Sequence, residues 1–356
     1  MVVGPEAPLA AGIVEQFRAV GIPIFGPTSH AARIESSKTF SEALVRNYHI
    51  AAAGSTSFAK PEDAKNYIRT QQPPFVIKAD GLASGKGVTI ELTVDEAVNR
   101  ISSLMETKTM GASGEKVVIQ EYLTGREMSA FVVTDGKAVV PLATACDYKR
   151  VYDGNHGPNT GGMGSYSPPE FSTPALEKTV LEKIMIPSVQ AMAKEGSPYQ
   201  GILYGGLFIT KEGPKVIEFN ARLGDPETQV ILPRLKTDLL EIIQAVLNGK
   251  LNQIKIEISN EACVGVVMAP GGYPGSYKTG FPISGLDSLD KDVNAFHAGT
   301  KLDERGRVVT SGGRTLTIVA KGRTLAEARE KVYANISRIK FEGAHYRKDI
   351  ALTKSK

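Results

Sequence analysis

The strongest chemical pattern in the sequence is KVIEFNARLGDPE, residues 215–227. On a β-strand, alternate side chains share a face, so Glu218 and Asn220 would lie about 7 Å apart at their backbones. A carboxylate and an amide oxygen suit Mg²⁺, which proteins often hold together with nucleotide phosphates. Arg222 keeps its charge at any working pH and could stabilise charge on a transferred phosphoryl group. A solvated polar strand is the alternative, and the glycine-containing turn at 224–227 favours a functional site.

A second candidate is the glycine-rich stretch VIKADGLASGKGVTI, residues 76–90. It is not a Walker A loop, because only three residues separate Gly81 from Gly85, Lys86 is followed by glycine, and the next residues are typical of a strand. A hairpin remains, and its tip could fold over a polyphosphate, since glycines let backbone N–H groups approach phosphate oxygens and lysine adds a compact charge. An ordinary hairpin that binds nothing is the alternative interpretation.

A third candidate is GPNTGGMGSYSP, residues 157–168, which has so few large apolar residues that we expect a loop unable to fill a core. Such a loop can present successive backbone N–H groups to a carboxylate or a phosphate. Asp147, Lys149 and Arg150 crowd the strand end just before it. The alternative is a solvated surface loop, the commoner fate of glycine-rich stretches.

The segment QEYLTGRE, residues 120–127, is typical of a strand that leaves a small unit and crosses to a larger one. Its backbone could hydrogen-bond the edge of an adenine, and a carboxylate a few residues later could hold ribose hydroxyls. Taken alone, an acidic strand end more often faces solvent. The histidines at 49, 156 and 297 lack the spacing of a metal site or a catalytic triad, so we interpret them as structural or surface residues.

Residue periodicity assigns these candidates to strands and their loops. The hairpin at 204–220 would bury Ile217 and Phe219 on the face opposite Glu218. A second hairpin is predicted around the Asp-Gly turn at 135–136. The other predicted elements are a helix at 9–20, a strand at 22–25, helices at 37–46, 93–105, 175–194 (broken near Pro187) and 238–248, a long loop at 152–169, and a final helix from the Thr324 capping box.

The chain divides into segments that differ in their predicted pattern of helices and strands. Residues 1–36 look like the end of an α/β unit, and 58–124 have a βαβ-like alternation around the glycine-rich loop. A helix and connector at 37–57 and the large block at 125–257 flank that alternation. From 258 onward, short hairpins and a closing helix indicate a separate α+β domain.

Composition narrows the class of protein. A chain of 356 residues with a net charge of +4 suits an anionic small-molecule substrate, and it has no dense basic run that would indicate nucleic acid. The two cysteines have no metal-site or disulfide pattern, and no apolar stretch approaches the ~20 residues of a membrane span. The first residues do not resemble a signal peptide. We therefore expect a cytoplasmic enzyme.

Taken together and in this order, the segments resemble the glycinamide ribonucleotide synthetases, or phosphoribosylamine–glycine ligases, of the ATP-grasp superfamily. The resemblance covers essentially the whole chain and is carried by VGPEAPL, SSKTF, VIKADGLASGKGV, QEYLTGRE, DYKR, GPNTGGMGSYSP and VIEFNARLGDPE. It implies a multidomain ATP-grasp fold of α/β and α+β units. The implied domains are a truncated Rossmann-like N-terminal domain at 1–36, a core domain at 37–57 and 125–257, a small lid domain at 58–124, and a C-terminal α+β domain at 258–356.

The resemblance also implies roles for individual residues, with ATP and Mg²⁺ or Mn²⁺ as cofactors. The implied ATP-binding residues are Lys38, Lys78, Ser84, Gly85, Lys86, Gly87, Glu121, Tyr122, Leu123 and Glu127. The implied metal ligands are Glu218 and Asn220, and the implied catalytic residues are Arg222, Lys78 and Lys86. The implied substrate-binding residues are Glu6, Asp147, Lys149, Arg150, Asn159, Gly161, Gly162, Asp225 and Glu227.

The implied reaction joins glycine to 5-phosphoribosylamine through glycyl phosphate, in purine biosynthesis, and the family implies a monomer. The family pattern normally begins with a strand and a turn of the form G-x-G-G-R-E-H-A upstream of VGPEAPL, and this sequence contains no such turn. We therefore expect either a start internal to a longer protein or a truncated form. Two alternative hypotheses follow: an ATP-binding but catalytically impaired form, or a sister ATP-grasp carboxylate–amine ligase, against which GPNTGGMG and DYKR weigh.

Overall fold

The computed structural model of the chain describes residues 1–82 and 87–352. Within them the chain forms two compact units. The first unit consists of Met1–Leu142, Thr173–Leu223 and Asp238–Ile256, and the second of Ala143–Ser172, Gly224–Thr237 and Glu257–Lys356. The domain boundaries predicted from the sequence stay a prediction. Ser84, Gly85 and Lys86, at the tip of the predicted phosphate-binding hairpin, lie outside the described residues.

The described chain contains both helices and strands. The helices are α1 Glu6–Ala10, α2 Ile13–Ala19, α3 Ser29–Ser36, α4 Lys38–Asn47, α5 Pro61–Arg69, α6 Val94–Ile101, α7 Pro174–Val180, α8 Ile186–Lys194, α9 Thr228–Ile231, α10 Leu239–Leu247 and α11 Leu325–Ile336. The strands are β1 Ser55–Phe58, β2 Phe75–Ala79, β3 Val88–Glu91, β4 Val117–Glu121, β5 Arg126–Thr134, β6 Val139–Pro141, β7 Cys146–Asp147, β8 Arg150–Tyr152, β9 His156–Asn159, β10 Gly164–Ser167, β11 Gly201–Thr210, β12 Gly213–Asn220, β13 Ala262–Pro270, β14 Val293–His297, β15 Thr300–Leu302, β16 Val308–Thr310, β17 Leu316–Gly322 and β18 Ala344–His345.

The small sheet of the first unit has the strand order β1-β4-β2-β3, and all neighbouring strands are antiparallel. The strand–helix alternation predicted for 58–124 is present, but an antiparallel strand separates the two parallel strands of each β-α-β unit. Helices α5 and α6 pack on one face of the sheet, where Ile68, Ile77, Ile101 and Ile119 are buried. Because side chains alternate along β2, Lys78 lies on the opposite face from Ile77.

The larger sheet of the first unit has the antiparallel order β12-β11-β5-β6. Both hairpins predicted from the sequence, β5–β6 and β11–β12, are confirmed. Asp135 stabilises the first turn by accepting from the N–H groups of Lys137 (3.0 Å) and Ala138 (2.8 Å). The free edge of β12 is covered by the connector before β1, since Ala53 N–H donates to Val216 O at 3.0 Å.

The helix predicted at 175–194 is interrupted, as expected, near Pro187. Helix α7 ends at Val180 and α8 begins at Ile186, with a π-helical turn, Leu181–Met185, between them. Proline has no N–H to donate, and its ring collides with the carbonyl one turn earlier. The wider π turn accommodates that missing hydrogen bond and keeps the two helices nearly continuous.

The N-terminal segment differs from the prediction in two ways. The single helix predicted at 9–20 is divided into α1 and α2 at Gly12, whose φ of 83° lies in the left-handed region. The strand predicted at 22–25 is wrong, because only Phe25 pairs, in one isolated parallel bridge with Val2. Pro23 lies within that stretch and cannot donate to a strand ladder.

The second unit is built on the sheet β14-β17-β13-β10-β7, with β18 paired to β13. The loop predicted at 152–169 is wrong in two places, because β9 pairs with β8 and β10 lies buried between β13 and β7. Its small polar side chains are tolerated there because they are hydrogen-bonded: Ser165 donates to Pro226 O at 2.8 Å and Ser167 to Thr144 O at 2.5 Å. Met163 and Tyr166 supply apolar core, contrary to the expectation that this segment fills none.

Helix α11 closes the second unit as predicted. The Thr324 hydroxyl caps it by accepting from Glu327 N–H, and Ala328, Val332 and Ile336 are buried against β13 and β17. Along the parts of the chain that the structure describes, no helix combines the length and the apolar character needed to cross a membrane.

We expect Ile77→Ala to lower the free energy of unfolding by about 3 kcal/mol, because it removes three carbons from a fully buried position and leaves a cavity. Ile90→Ala, on the adjacent strand β3 where Ile90 is 45% exposed, is the matched control and should cost below about 1 kcal/mol. Urea unfolding of both variants measures the difference. Equal losses would contradict the assignment of the core to the α5/α6 face.

Candidate active site

Lys78 joins the small sheet to the larger sheet of the first unit. Its side chain is only 5% exposed, and Nζ donates to the carbonyl of Ile217 on β12 at 2.7 Å. That carbonyl is accessible because β12 has a bulge: Glu218 pairs with Gly206 and Val216 with Leu207, so Ile217 is skipped in the register. Lys78 of the glycine-rich hairpin therefore contacts the backbone of the residue that precedes Glu218.

The bulge also corrects the predicted burial along β12. Val216 and Phe219 are the buried residues, whereas Ile217, predicted to face the core with Phe219, is half-buried. Strict alternation fails because the bulge inserts one extra residue into the strand. Glu218 and Asn220 are both half-buried on β12.

Glycine on the neighbouring strand makes room for Glu218. A Cβ at Gly206 would lie 3.0 Å from Glu218 Cγ, so a larger residue on β11 would displace the carboxylate. The sequence shows a glycine pair at 205–206 but not which side chain needs the space.

Lys38 lies at the first position of α4, and that helix start is tied to the glycine-rich hairpin by Asp80. Asp80 Oδ1 accepts from Thr39 N–H at 2.7 Å and from the Ser37 hydroxyl at 3.2 Å, while its carbonyl accepts from Lys38 N–H at 3.1 Å. Asp80 was not among the predicted site residues. It lies inside the quoted ADG sequence, and its function in joining two segments appears only in three dimensions.

The segment predicted to contact adenine follows β4. Glu121 ends that strand, and its carboxylate accepts from Gly54 N–H at 2.8 Å and from Lys215 Nζ at 3.3 Å. Tyr122 is exposed and Leu123 is half-buried. Glu127 is exposed near the start of β5 and is paired across the sheet with Phe208.

Arg222 is held by two carboxylates rather than projecting alone. Its Nε donates to Glu6 Oε2 at 2.9 Å, and its Nη2 lies 3.2 Å from Glu35 Oε1. Glu35 also accepts from the N–H of Ala221 at 2.7 Å through its other oxygen. Glu35 was missed at the sequence level, because a glutamate near the end of a helix normally reads as solvated.

The pKa values of the two carboxyl groups are shifted in opposite directions. Burial raises the pKa of Glu35 to about 7, with Glu6 and Glu218 adding repulsion, and this outweighs the opposing effect of Arg222 and the Ala221 N–H. Burial acts in the same direction on Glu6, but its own backbone N–H and Arg222 outweigh it and bring the pKa of Glu6 below its usual value. Arg222 is therefore neutralised chiefly by Glu6.

The remaining predicted substrate residues lie in the second unit. Asp147, Lys149 and Arg150 are half-buried on and between β7 and β8, and Asn159 is exposed at the end of β9. Arg150 Nη1 donates to Gly157 O at 2.8 Å, which ties β8 to the glycine-rich segment.

The N–H groups of residues 160–163 already donate within this unit, so the predicted anion cradle would require them to change partners. Thr160 donates to Lys149 O at 2.7 Å, and Gly161 to the Tyr273 hydroxyl at 3.2 Å. Gly162 donates to the Thr160 hydroxyl at 2.9 Å, and Met163 to Tyr148 O at 2.8 Å.

Asp225 and Glu227 belong to one turn but differ in exposure. Asp225 is exposed and accepts from Gln229 Nε2 at 2.9 Å. Glu227 is buried at the start of α9, and its carboxylate folds back over Gly224, where a Cβ would lie 2.5 Å from Glu227 Oε2. Gly224 is therefore needed for the close approach of this carboxylate to the backbone.

We predict that Glu35 makes stability depend on pH between about 4.5 and 7. The folded carboxyl holds its proton up to about pH 7 and the unfolded one only to about 4.5, so the folded state binds more protons in this window and stability falls as pH rises through it. Across this pH window the free energy of unfolding should fall by about 3 kcal/mol. Glu35→Gln should lack this slope, which urea unfolding from pH 4.5 to 8 would measure. Parallel profiles for the variant and the wild type would contradict the prediction.

Comparison with protein-family models matches nearly the whole chain to one family. The described domains are "Phosphoribosylglycinamide synthetase, N domain" at 1–35, "Phosphoribosylglycinamide synthetase, ATP-grasp (A) domain" at 36–228, and "Phosphoribosylglycinamide synthetase, C domain" at 263–353. The A-domain match contains Lys78, Glu218, Asn220 and Arg222.

Individual relatives agree with the family match. A phosphoribosylamine–glycine ligase from Halalkalibacterium halodurans is 47% identical over 98% of this chain and 81% of its own length. The corresponding ligase from Caldanaerobacter subterraneus is 49% identical over 98% of this chain and 84% of its own length.

Solved structures give the same result at the level of the fold. The crystal structure of phosphoribosylamine–glycine ligase from Thermotoga maritima is 36% identical, covers 95% of this chain and 84% of its own, and superposes with a TM-score of 0.86. A Hydrogenobacter thermophilus biotin carboxylase domain in complex with MgADP is 15% identical with a TM-score of 0.75, covering 97% of this chain and 75% of its own, and shares the fold alone. The predicted ATP-grasp fold is confirmed, and the chain belongs to the phosphoribosylglycinamide synthetase family of ATP-grasp ligases.

Proposed function

We propose that this protein joins glycine to 5-phosphoribosylamine with hydrolysis of ATP, giving glycinamide ribonucleotide, ADP and phosphate in purine biosynthesis. The observation that carries the proposal is the 2.7 Å hydrogen bond from Lys78 to Ile217 O. This bond ties the lysine of the glycine-rich hairpin to β12, the strand that carries Glu218 and Asn220. Relatives that are 47–49% identical over 98% of the chain are named as this ligase, which supports the choice of substrates.

The proposed reaction has two displacement steps. A carboxylate oxygen of glycine attacks the γ-phosphorus of ATP, the bond to the β–γ bridging oxygen breaks, and ADP leaves. The amine of phosphoribosylamine then attacks the carbonyl carbon of glycyl phosphate, loses a proton, and expels phosphate. Neither step needs a nucleophilic side chain, so the protein contributes positioning and charge neutralisation.

The first unit would bind the nucleotide. Lys78 and Lys38, with Lys86 and 84–87 of the hairpin tip, would contact the phosphates. The backbone of residues 121–123 would hydrogen-bond the edge of the adenine, and Glu127 would bind the ribose hydroxyls. Glu121 N–H already donates to Gly54 O at 2.8 Å, so the adenine contacts would fall to the other backbone groups of this segment.

Glu218 and Asn220 fit Mg²⁺ or Mn²⁺, because both offer hard oxygen donors from one strand. Across the residues that the structure describes, no three His, Cys, Asp or Glu side chains cluster as a metal site. Phosphate oxygens and water would therefore complete the coordination of a metal ion held by these two protein donors, as is usual for a nucleotide-bound metal. Such an ion, when bound, would neutralise phosphate charge during the transfer.

In the first unit, the proposed substrate-binding residues are Arg222 and Glu6. In the second unit, they are Asp147, Lys149, Arg150, Asn159, Gly161, Gly162, Asp225 and Glu227. Arg222 would stabilise the acyl phosphate, with Glu6 and Glu35 fixing its orientation at 2.9 Å and 3.2 Å. A cytoplasmic location is part of the proposal, because the reaction draws on ATP, and Cys146 and Cys263 are buried and form no disulfide. A monomer, which the family resemblance implies, is also part of it.

The direct test is ADP release by the purified protein with ATP, Mg²⁺, glycine and freshly generated phosphoribosylamine. We expect one ADP for each glycinamide ribonucleotide formed, and no release when either glycine or phosphoribosylamine is omitted. Nucleotide binding without turnover would contradict the proposal and support an impaired form. Turnover with a different acid in place of glycine would support a sister ligase.

We predict that Lys78→Met and Glu218→Gln each lower kcat at least a hundredfold, because each removes one charged group that faces the reacting phosphates. Glu218→Gln should also raise the Mg²⁺ concentration needed for half-maximal rate. Lys60→Met, at an exposed lysine of the same unit, is the control and should keep wild-type kinetics. Thermal unfolding establishes that the variants are folded, and near-wild-type kcat in folded Lys78→Met would overturn the assignment.

A further inference from the structure

Arg314, in the second unit, was not among the residues predicted from the sequence, yet it holds two of the predicted substrate-binding segments together. Its Nη1 donates to the carbonyl oxygens of Gly161 and Asp225, both at 2.7 Å. Its Nη2 donates to Asp225 Oδ2 at 2.9 Å. One guanidinium thus joins the glycine-rich segment 157–162 to the turn 224–227.

The glycine at position 161 is matched to this arginine. A Cβ built at Gly161 would lie 2.9 Å from Arg314 Cζ and 3.0 Å from its Nη2, so any side chain there would push the guanidinium away. The φ of Gly161 lies outside the left-handed region, so the requirement for glycine is one of space rather than backbone conformation. This is an independent sign that the arginine and the glycine segment fit each other.

The neighbouring residues extend the same contact. A Cβ at Gly162 would lie 2.4 Å from Pro226 Cδ, which places the glycine segment directly against the 224–227 turn. The Tyr273 hydroxyl accepts from Gly161 N–H at 3.2 Å, and Gly313 packs on the Tyr273 ring, where a Cβ would lie 2.5 Å from Cδ2. The turn before β17 and the Tyr273 ring therefore hold Arg314 in place.

We propose that Arg314 is a positioning residue that clamps Gly161 against Asp225 and so sets the geometry of the site for the non-nucleotide substrates. This inference rests on the proposed ligase function and deepens it. The planar guanidinium reaches three acceptors on two segments through two nitrogens held in a rigid fork, whereas an ammonium offers its donors from a single atom. Its side chain is 22% exposed, so the clamp lies where solvent and a small substrate can reach the residues that it orders.

The kinetic expectation follows from the distribution of these contacts. Arg314 touches predicted substrate residues of the second unit, and the predicted ATP residues belong to the first unit. Arg314→Met should therefore lower kcat/KM for glycine or phosphoribosylamine by tenfold to about a hundredfold, since small misplacements of reacting groups cost that much. The KM for ATP should stay within about twofold of wild type.

The chain offers a matched control in Arg338. That arginine, also in the second unit, donates to Ser288 O at 2.7 Å and to Asp290 Oδ1 at 2.8 Å, away from the predicted substrate residues. Arg338→Met removes a comparable set of contacts and should leave all three KM values unchanged. Arg314→Lys should recover only part of the loss, because it keeps one charge without the fork.

A double-mutant cycle tests the proposed coupling directly. Gly161→Ala should reproduce the substrate effect of Arg314→Met, and the double variant should be no worse than the single ones, because both changes open the same clamp. Additive losses would overturn the clamp, as would wild-type KM values in Arg314→Met or full activity in Arg314→Lys. Equal rises in the KM for ATP and for the other substrates would also overturn it, since they would indicate a general loss of structure.

The outcome for the wild type separates this inference from the proposed function. A wild-type protein without turnover on glycine and phosphoribosylamine defeats the proposed function, and the inference with it. An active wild type whose Arg314→Met variant matches Arg338→Met defeats the inference alone. If thermal denaturation shows that Arg314→Met does not fold, Gly161→Ala and Arg314→Lys are used for the test instead.

Discussion

The buried ammonium group of Lys78 is the constraint on which the arrangement of the first unit depends. Removing a cation from water costs several kcal/mol unless hydrogen-bond acceptors replace the water. Here the carbonyl of Ile217 is one such acceptor, and it is accessible because β12 bulges at that residue. The bulge therefore joins two features that are distant in sequence: the lysine of the glycine-rich hairpin, and the strand that carries Glu218 and Asn220. Without the bulge, Ile217 would use its carbonyl in the ladder with β11.

Charge balance around Arg222 follows the same principle. A guanidinium beside two carboxylates in a buried place has one negative charge too many, and burial makes that excess costly. The structure resolves it through Glu35, whose pKa rises to about 7, while Glu6 stays ionised and pairs with Arg222. The same Glu35 accepts from Ala221 N–H, next to Asn220. The end of β12 and the orientation of Arg222 are thus fixed by one side chain from α3.

The fold alone would not have indicated a function. Biotin carboxylases share it at a TM-score of 0.75 with 15–16% identity, and one fold commonly serves several chemistries. The assignment rests instead on particular side chains and on relatives that share nearly half of the sequence. The two units also contribute differently: the first holds lysines, Glu218 and Arg222, and the second holds the small-residue segments that Arg314 and Tyr273 order.

The local sequence pattern was sufficient to predict several elements whose residues interact with near neighbours in the chain. The two hairpins, the Thr324 cap and the break near Pro187 depend on turn residues, a capping group and a missing N–H, and the sequence predicted all of them. The elements that depend on distant partners were missed. Strand β10 was interpreted as a loop because its glycines and serines look solvated, and only its buried partners Pro226 O and Thr144 O explain how it enters a core.

The sequence by itself determined the family, the strand that carries Glu218 and Asn220, and the strand that carries Lys78, because these lie in contiguous segments whose chemistry can be interpreted residue by residue. Only the tertiary structure decided that Asp80 joins the glycine-rich hairpin to α4, that Glu35 contacts Arg222, that Arg314 joins Gly161 to Asp225, and that Ile217 lends its carbonyl to Lys78. Those functions arise from contacts between residues more than 40 positions apart, and no periodicity or local propensity encodes which distant group a polar side chain will meet.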